Sequence, residues 1–267
     1  MKILVTGATG NIGRMVVDHL LAAGAQDVRA LSNHPERANF PAGVEVVKGY
    51  LKRVSSLPAA FEGVDRVYLA PVLETIDEVV EAAKAAGIRH IVDLSGNEYT
   101  DWQPIARAVE NSGLDWTHLY AGEFTENATI WADQIRAGDV LPDAYPEAAN
   151  APLVMDDIAR VAATVLLSDG HAGKAYELTG PETLTRAEKI NQLGTALGRP
   201  LRMVKVSREE AIQHLTPVMG EYAEWYVDGL ATMVEHPQQA NTLIADLTGA
   251  PATTFAQWAA ANTALFQ

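Results

Sequence analysis

The chain has 267 residues, 48% of them apolar, with 34 acidic against 20 basic side chains and a formal net charge of −14. That length buries a large core, as one long domain or as a large domain with a smaller lobe, while the acidic balance argues against nonspecific nucleic-acid binding, which needs cations to neutralise phosphates. Cysteine is absent, which removes disulfides, thiolate nucleophiles and thiolate metal sites.

Taken in chain order, the first half alternates short apolar runs with helical patterns. KILVTG (2–7) reads as a strand and IGRMVVDHLLAAG (12–24) as a helix. DVRALSN (27–33) and VEVVKG (44–49) are two more strands, the second followed by a short helix around VSSLPAAFEG. DRVYLAP (65–71) is a fourth strand, followed by the helix TIDEVVEAAKAAG (75–87). IRHIVDLS (88–95) is a fifth, with a helix at 105–113, and LDWTHLYA (114–121) is a sixth. Strands alternating with helices in this way predict a doubly wound α/β parallel sheet. Beyond residue 124 the pattern turns mainly helical: helices at 128–137, 156–168, 186–198, 208–215 and 219–235, strands at 175–180 and 201–207, and a Pro- and Ala-rich loop at 141–152. The expected organisation is a dinucleotide-binding domain over 1–150 and a smaller, mostly helical lobe over 151–267, interleaved around one cleft. No apolar run approaches the roughly 18–20 residues of a membrane span. The opening MKILVTG is too short for a signal peptide, so a cytoplasmic protein with no membrane partner is expected.

The densest signal is VTGATGNIGR, with Gly7, Gly10 and Gly13 at the first strand-to-helix turn. Gly7 permits a tight turn, Gly10 lets backbone amides approach a pyrophosphate, and Gly13 allows close helix–strand packing; Thr9, Asn11 and Ile12 complete the loop. The helix N-terminus adds a partial positive charge. The spacing is GxxGxxG, and the acidic residue that would grip an NAD ribose about 20 positions on is missing. The second strand ends instead in Leu31-Ser32-Asn33-His34, with Arg37 nearby. Asn33 and Arg37 therefore favour NADP, with NAD still open.

GATGNIGR, RALSNHPERA, SGLDWTHLYAGEFTENA (112–128) and VMDDIARVAATVLLSDGHAGKAYELTGPETLT (154–185) together resemble the NmrA-like, atypical branch of the short-chain dehydrogenase/reductases. The resemblance runs nearly end to end. It implies an extended Rossmann domain, NAD(P)(H) in the cleft, and a C-terminal lobe completing the substrate pocket. It also implies that a Tyr-x-x-x-Lys pair is dispensable: four residues after Tyr99 stands Gln103. Three positions depart from the family pattern. Its arginine after strand two is Asn33, its Gly-Asp after strand three is Gly49-Tyr50, and its Leu-Arg-Pro-Gly is Leu119-Tyr120-Ala121-Gly122. Tyr50 is expected either to stack on the adenine or to obstruct it.

In a parallel sheet, ligands meet the carboxyl ends of the strands. Those ends carry Ala70, Pro71 and Ser95, expected to border the cofactor, and Tyr99, Trp102 and Tyr120, expected to act in catalysis as hydrogen-bond donors or anchors. Phe124, Trp131, Tyr145, Trp225 and again Trp102 are candidate walls for a flat aromatic substrate. His118 alternates with apolar neighbours and reads as a core or helix-facing histidine. No HxH or HExxH spacing suggests a metal, and no GxSxG suggests a serine hydrolase.

Three functions follow. One is NAD(P)H-dependent reduction of a quinone or an aromatic, polycyclic natural-product intermediate. Another is a tailoring monooxygenase of aromatic polyketides, with oxygen reacting at the reduced substrate. The last is a dinucleotide-sensing regulator without turnover. The partner of the first two is a small aromatic molecule, and a homodimer is open.

Overall fold

The computed structural model describes residues 1–267. The chain divides into two units. The first comprises Met1–Ala121, Met155–Leu178 and Asp246–Gly249, and the second Gly122–Val154, Thr179–Ala245 and Ala250–Gln267. This differs from a boundary at 150. Met155–Leu178 returns to the first unit because it supplies one more strand and a sheet-covering helix there, and Gly122–Val154 leaves it early.

In the first unit, β1 (Ile3–Val5), β2 (Val28–Ser32), β3 (Val44–Lys48), β4 (Arg66–Leu69), β5 (His90–Ser95), β6 (Asp115–Ala121) and β9 (Lys174–Leu178) form one sheet in the order β3-β2-β1-β4-β5-β6-β9. Every neighbouring pair is parallel. Strands covered on both faces must be apolar at successive positions; β1 (ILV) meets that demand, while β5 (HIVDLS) is buried throughout and carries three polar side chains among its six. Between the strands run α1 (Asn11–Ala22), the short α2 (Pro58–Phe61), α3 (Ile76–Ala85), α4 (Gln103–Asn111) and α6 (Met155–Leu167). Leu4, Val67, Leu69 and Ile91 meet Val79 and Val80 of α3 and Ile105 and Val109 of α4 in one buried cluster. Helices α1 and α6 pack together, joined by His19 Nε2 and Asp156 Oδ1 at 2.8 Å. The strand order reverses between β1, whose next strand β2 lies on one side, and β4 on the other. That switch point is where a crevice opens in such sheets.

The second unit holds α5 (Ala132–Ala137), α7 (Arg186–Leu197), α8 (Arg208–Met219), α9 (Tyr222–Glu235) and α11 (Phe255–Ala261) around two short ribbons. β11 (Arg202–Lys205) pairs parallel with β7 (Val140–Asp143), and β10 (Leu184–Thr185) antiparallel with β8 (Ala149–Asn150). The expected loop at 141–152 thus carries strand at both ends, because the predicted strand near 201–207 needs a partner. Capping boxes start three helices: Thr185 with Glu188, Ser207 with Glu210 and Thr254 with Gln257. Each satisfies two otherwise orphaned donors. Residues 236–267, without an element in the sequence reading, contain α10 (Leu243–Thr248) and α11. Phe255, Trp258 and Phe266 close a core with Leu193 of α7 and Trp131. No helix is long and apolar enough to cross a membrane.

Candidate active site

The loop after β1 is built around its glycines. Gly7 sits at φ +59°, and a Cβ there would lie 2.8 Å from the Cβ of Ala70 at the end of β4. A Cβ on Gly13 would stand 2.2 Å from the Gly7 carbonyl oxygen, so α1 approaches the loop at a distance only glycine allows. Thr6, fully buried, clamps the crevice: its hydroxyl donates to the Tyr68 carbonyl at 2.9 Å and accepts from the Ala70 amide at 2.8 Å. Gly10 is the N-cap of α1, with no side-chain cap and no acidic residue in the first turn. Thr9, Gly10 and Asn11 are exposed and Ile12 half-buried. Uncapped amides at a twelve-residue helix N-terminus, with no carboxylate to neutralise them, suit an anionic pyrophosphate. The residues present fit an NAD(P)H phosphate bridge, and Ala70, half-buried, and Pro71, exposed, flank it from β4.

At the carboxyl ends of β2 and β3, a cavity of about 400 Å³ is lined by Asn33, Lys48, Gly49, Tyr50, Arg53, Ser55 and Ser56 among others. Asn33 and Tyr50, expected at the adenosine end, are thus brought together. Tyr50 stays 41% exposed, its amide donating to Ser56 Oγ at 3.0 Å. No carboxylate lines this cavity, and its cations are Lys48 and Arg53, which sequence reasoning missed. A lysine closing a strand and an arginine three residues past Tyr50 were the available signal. Arg37 is not among the lining residues; its side chain is turned to solvent, with Glu36 Oε1 4.0 Å away. Its 3-10 turn (Pro35–Arg37) carries it off the strand ends.

At the ends of β5 and β6 the candidates separate. Ser95 is buried, and its hydroxyl has no hydrogen-bond partner. The next residues fold into a tight turn: Asn97 Oδ1 accepts the Tyr99 amide at 3.1 Å, and the Thr100 hydroxyl donates to the Asn97 carbonyl at 3.1 Å. That turn puts Tyr99 at its tip, 86% exposed. The Glu98 carboxylate beside it holds its hydroxyl above the ordinary tyrosine range. The expectation of Tyr99 as a donor in a dry pocket is therefore corrected. Trp102, as N-cap of α4, is 46% exposed. Tyr120 is the half-buried tyrosine of the group. Its pKa is pushed up to about 12, first by burial and then by the negative charges of Glu110, Asp93 and Glu177, so its hydroxyl keeps its proton at neutral pH.

Beneath Tyr120 lies a pair that sequence reasoning half-found. His118 is indeed buried and faces α4, but it bonds a carboxylate: its Nδ1 is 2.7 Å from Asp93 Oδ2, and both side chains have 0% exposure. The His118 ring is stacked between Trp116 (4.2 Å) and Tyr120 (5.7 Å). Burial drives the Asp93 carboxyl up, against the pull of His118 and Ser95 and with a further push from Glu110. An aspartate inside a strand buried on both faces was the signal.

In the second unit, a small cavity with room for about one water (about 10 Å³) is lined by Glu123, Phe124, Thr125, Trp131, Lys189 and Tyr226 among others. Phe124 and Trp131, two expected substrate walls, thus share a cavity, but Trp131 is core. Its ring carries the Arg186 guanidinium 5.0 Å away. Tyr145 packs half-buried against the cluster that contains Leu215 and Val227. Trp225 is 70% exposed on α9 and forms no wall within this unit. Behind the cavity, Lys189 Nζ donates to Glu123 Oε2 at 3.2 Å and to Asn150 Oδ1. Arg186 donates twice to Asp143 Oδ2, at 2.9 and 2.7 Å, and once to the Tyr226 hydroxyl. Burial raises the Glu123 carboxyl, but Lys189, Asn150 and Arg186 together outweigh it and hold it below the usual range. Burial lowers Lys189, which Glu123 only partly offsets. Of these charged residues the sequence offered only Glu123, as an alternative proton carrier in a loop. The sign was there: Arg186 and Lys189 fall on the same face of α7 as Ile190 and Leu193.

A glycine cradle at the switch point of a parallel sheet defines a dinucleotide-binding protein. Residues 7–169 match the NAD(P)H-binding family, and the chain belongs to it. It is 36% identical to a (4-alkanoyl-5-oxo-2,5-dihydrofuran-3-yl)methyl phosphate reductase of Streptomyces griseus, over 99% of each chain. It is 33% identical to an NAD(P)H azoreductase of Xenophilus azovorans, also over 99% of each. An NADPH-dependent quinone oxidoreductase of Escherichia coli, solved with NADPH, superposes with a TM-score of 0.86 at 25% identity, over 97% of this chain and 99% of that one. The chain is an NAD(P)H-dependent reductase by these relationships.

Proposed function

We propose that this reductase prefers NADPH and delivers hydride to a flat, conjugated acceptor, a quinone or an aromatic natural-product intermediate. The observation that carries the cofactor preference is the acid-free cavity where Asn33 and Tyr50 meet Lys48 and Arg53. Two cations and no carboxylate favour a 2′-phosphate and offer nothing bidentate to two ribose hydroxyls. The acceptor class rests on shared chemistry in the relatives' names. A dihydrofuranone bearing an acyl group, an azo bond and a quinone are all conjugated systems that accept a hydride and a proton. The bound dinucleotide supplies that hydride. Gly7, Thr9, Gly10, Asn11 and Gly13 hold its phosphates, Ala70 and Pro71 flank it, and Ser95 and Tyr120 offer hydroxyls at the strand ends. Tyr120 anchors the acceptor as a neutral donor.

The test is titration of the pure protein with NADPH and NADH, followed by nicotinamide fluorescence, and then addition of quinones, azo dyes and polycyclic phenols under nitrogen. Tighter NADPH binding and acceptor-dependent oxidation are expected. Oxygen consumption under air beyond the acceptor's own background would turn the reading toward oxygenation. Binding without turnover of any acceptor would turn it toward a sensor.

A further inference from the structure

We infer that Glu110, His118 and Asp93 form a proton relay from solvent to the Ser95 hydroxyl, which protonates the acceptor as it is reduced. The inference rests on the reductase reading above. It starts from a cost: a carboxylate and an imidazole, both fully buried, sit opposite each other on β5 and β6 at 2.7 Å. A buried ionic pair is often no more stable than an apolar pair of the same size, so its energy does not explain its presence.

The groups around it form a line. Asp93 and Ser95 are two apart on β5 and therefore share a sheet face. Ser95 Oγ, Asp93 Oδ1 and His118 Nε2 are all buried atoms that make no hydrogen bond of ordinary geometry, while the Ser95 hydroxyl is near enough to the Asp93 carboxylate to favour its charged form. Three such orphans within one chain of neighbours are expensive as structure and are what a proton path needs at its exchange points. At the far end, Glu110 of α4 lies 3.5 Å from His118 Nε2 with its side chain 44% exposed, so the path reaches water. At the near end, Ser95 closes β5 at the sheet edge where ligands bind. From β6, Trp116 and Tyr120 clamp the His118 ring in place. Tyr68, on the neighbouring β4 but on the opposite face of the sheet, feels the Asp93 charge.

The balance is simple. The acceptor carbon gains a C–H bond as hydride from the reduced dinucleotide, which is oxidised by two electrons, and negative charge develops on the acceptor's oxygen or nitrogen. The Ser95 O–H bond breaks as that atom gains the proton. Asp93 and His118 hold one proton between Oδ2 and Nδ1. It passes from the pair to Ser95 Oγ, and His118 Nε2 takes a replacement from the Glu110 side. Ser95 is the donor; Asp93, His118 and Glu110 act through it.

Two readouts test this. On the free protein, imidazole NMR of His118 should show a hydrogen-bonded Nδ1 proton whose chemical shift moves in both Asp93→Asn and Glu110→Gln; indifference to both variants overturns the relay. On the turning-over enzyme, the double variant Asp93→Leu/His118→Leu keeps the fold, because an apolar pair fills the site. Its kcat should drop about 10²-fold or more, with KM unchanged, a flattened alkaline limb and a larger solvent isotope effect. Ser95→Ala should fall as far, and the triple variant no further, since the groups act as one unit. A double variant within twofold of the parent and with the parent's pH profile sinks the relay alone. Absence of turnover by the parent with every acceptor sinks the reductase reading and the relay's task with it.

Discussion

Alanine at each of the three loop glycines should separate structure from binding. At Gly7 the left-handed backbone costs an L-residue about 1–2 kcal/mol. The new methyl also meets the Ala70 Cβ at 2.8 Å, adding about 1–2 kcal/mol of overpacking. The sum, about 2–4 kcal/mol, lowers the melting temperature by roughly 5–15 °C in a chain of this size. Gly13→Ala should be worse, because its Cβ would stand 2.2 Å from backbone that cannot swing aside. At Gly10 the nearest atom, the Gly7 carbonyl oxygen, is 3.2 Å away and the φ is an ordinary −86°. The stability cost there is that of a poorer N-cap, about 0.5–1 kcal/mol. Yet Gly10 is exposed where a pyrophosphate meets the amides, and losing one charged hydrogen bond costs about 1.5–3 kcal/mol. That corresponds to roughly 10–100-fold in Kd. Thermal melts paired with NADPH fluorescence titrations on the same samples read both quantities. A Gly10→Ala protein that melts normally and binds NADPH within twofold of the parent would refute the cradle and reduce the loop to a turn.

Replacing Lys48 and Arg53 together by glutamine should weaken NADPH by about 10–100-fold and leave NADH nearly unchanged; equal losses for both would contradict the 2′-phosphate assignment. His90 is a pH lever, its pKa lowered from 6.5 to about 4 by burial and then by Arg66, with its Nε2–H spent on Thr117 Oγ1 at 2.9 Å. The folded state prefers the neutral ring, so stability is full above pH 6.5 and falls toward pH 4, by about 3 kcal/mol in all. Urea unfolding at pH 7 and 4.5 should show that slope in the parent and lose it in His90→Leu. Asp143→Asn strands the buried Arg186 guanidinium and should cost about 3–5 kcal/mol. Arg186→Met on top should restore much of it, and a single variant that melts within a degree or two of the parent would show the pair to be relaxed by water.

The first unit was legible because its signals are local. Each strand is a short apolar run closed by glycine or a polar turn, and the crossover helices repeat at 3.6 residues, so strands, helices and sheet type follow together. The second unit was less so. β7 and β8 hide in a Pro- and Ala-rich stretch because two-residue and four-residue strands exist only through partners 34 to 62 residues away, which no window along the chain can see. α11 was lost for the opposite reason. Its capping box at Thr254 and Gln257 was present, but seven residues carry little periodicity.

The site divides along the same line. The cradle was readable because glycine at Gly7, Gly10 and Gly13 answers backbone demands made within seven residues of chain. Tyr99 misled because its type fits catalysis, while its direction is set by Asn97 and Thr100, whose turn faces it to water. The buried charges carry the more general lesson. Asp93, His118, Arg186 and Lys189 each occupy a position where the period of their own strand or helix calls for an apolar side chain. Each is tolerable only because its partner lies on another element, Asp93 for His118 and Asp143 for Arg186. A charge that breaks local periodicity is therefore a pointer to a second such break elsewhere. Asp93 with His118 and Asp143 with Arg186 are two such pairs, and Ser95, one step along the face that Asp93 shares, is the next place to look for chemistry.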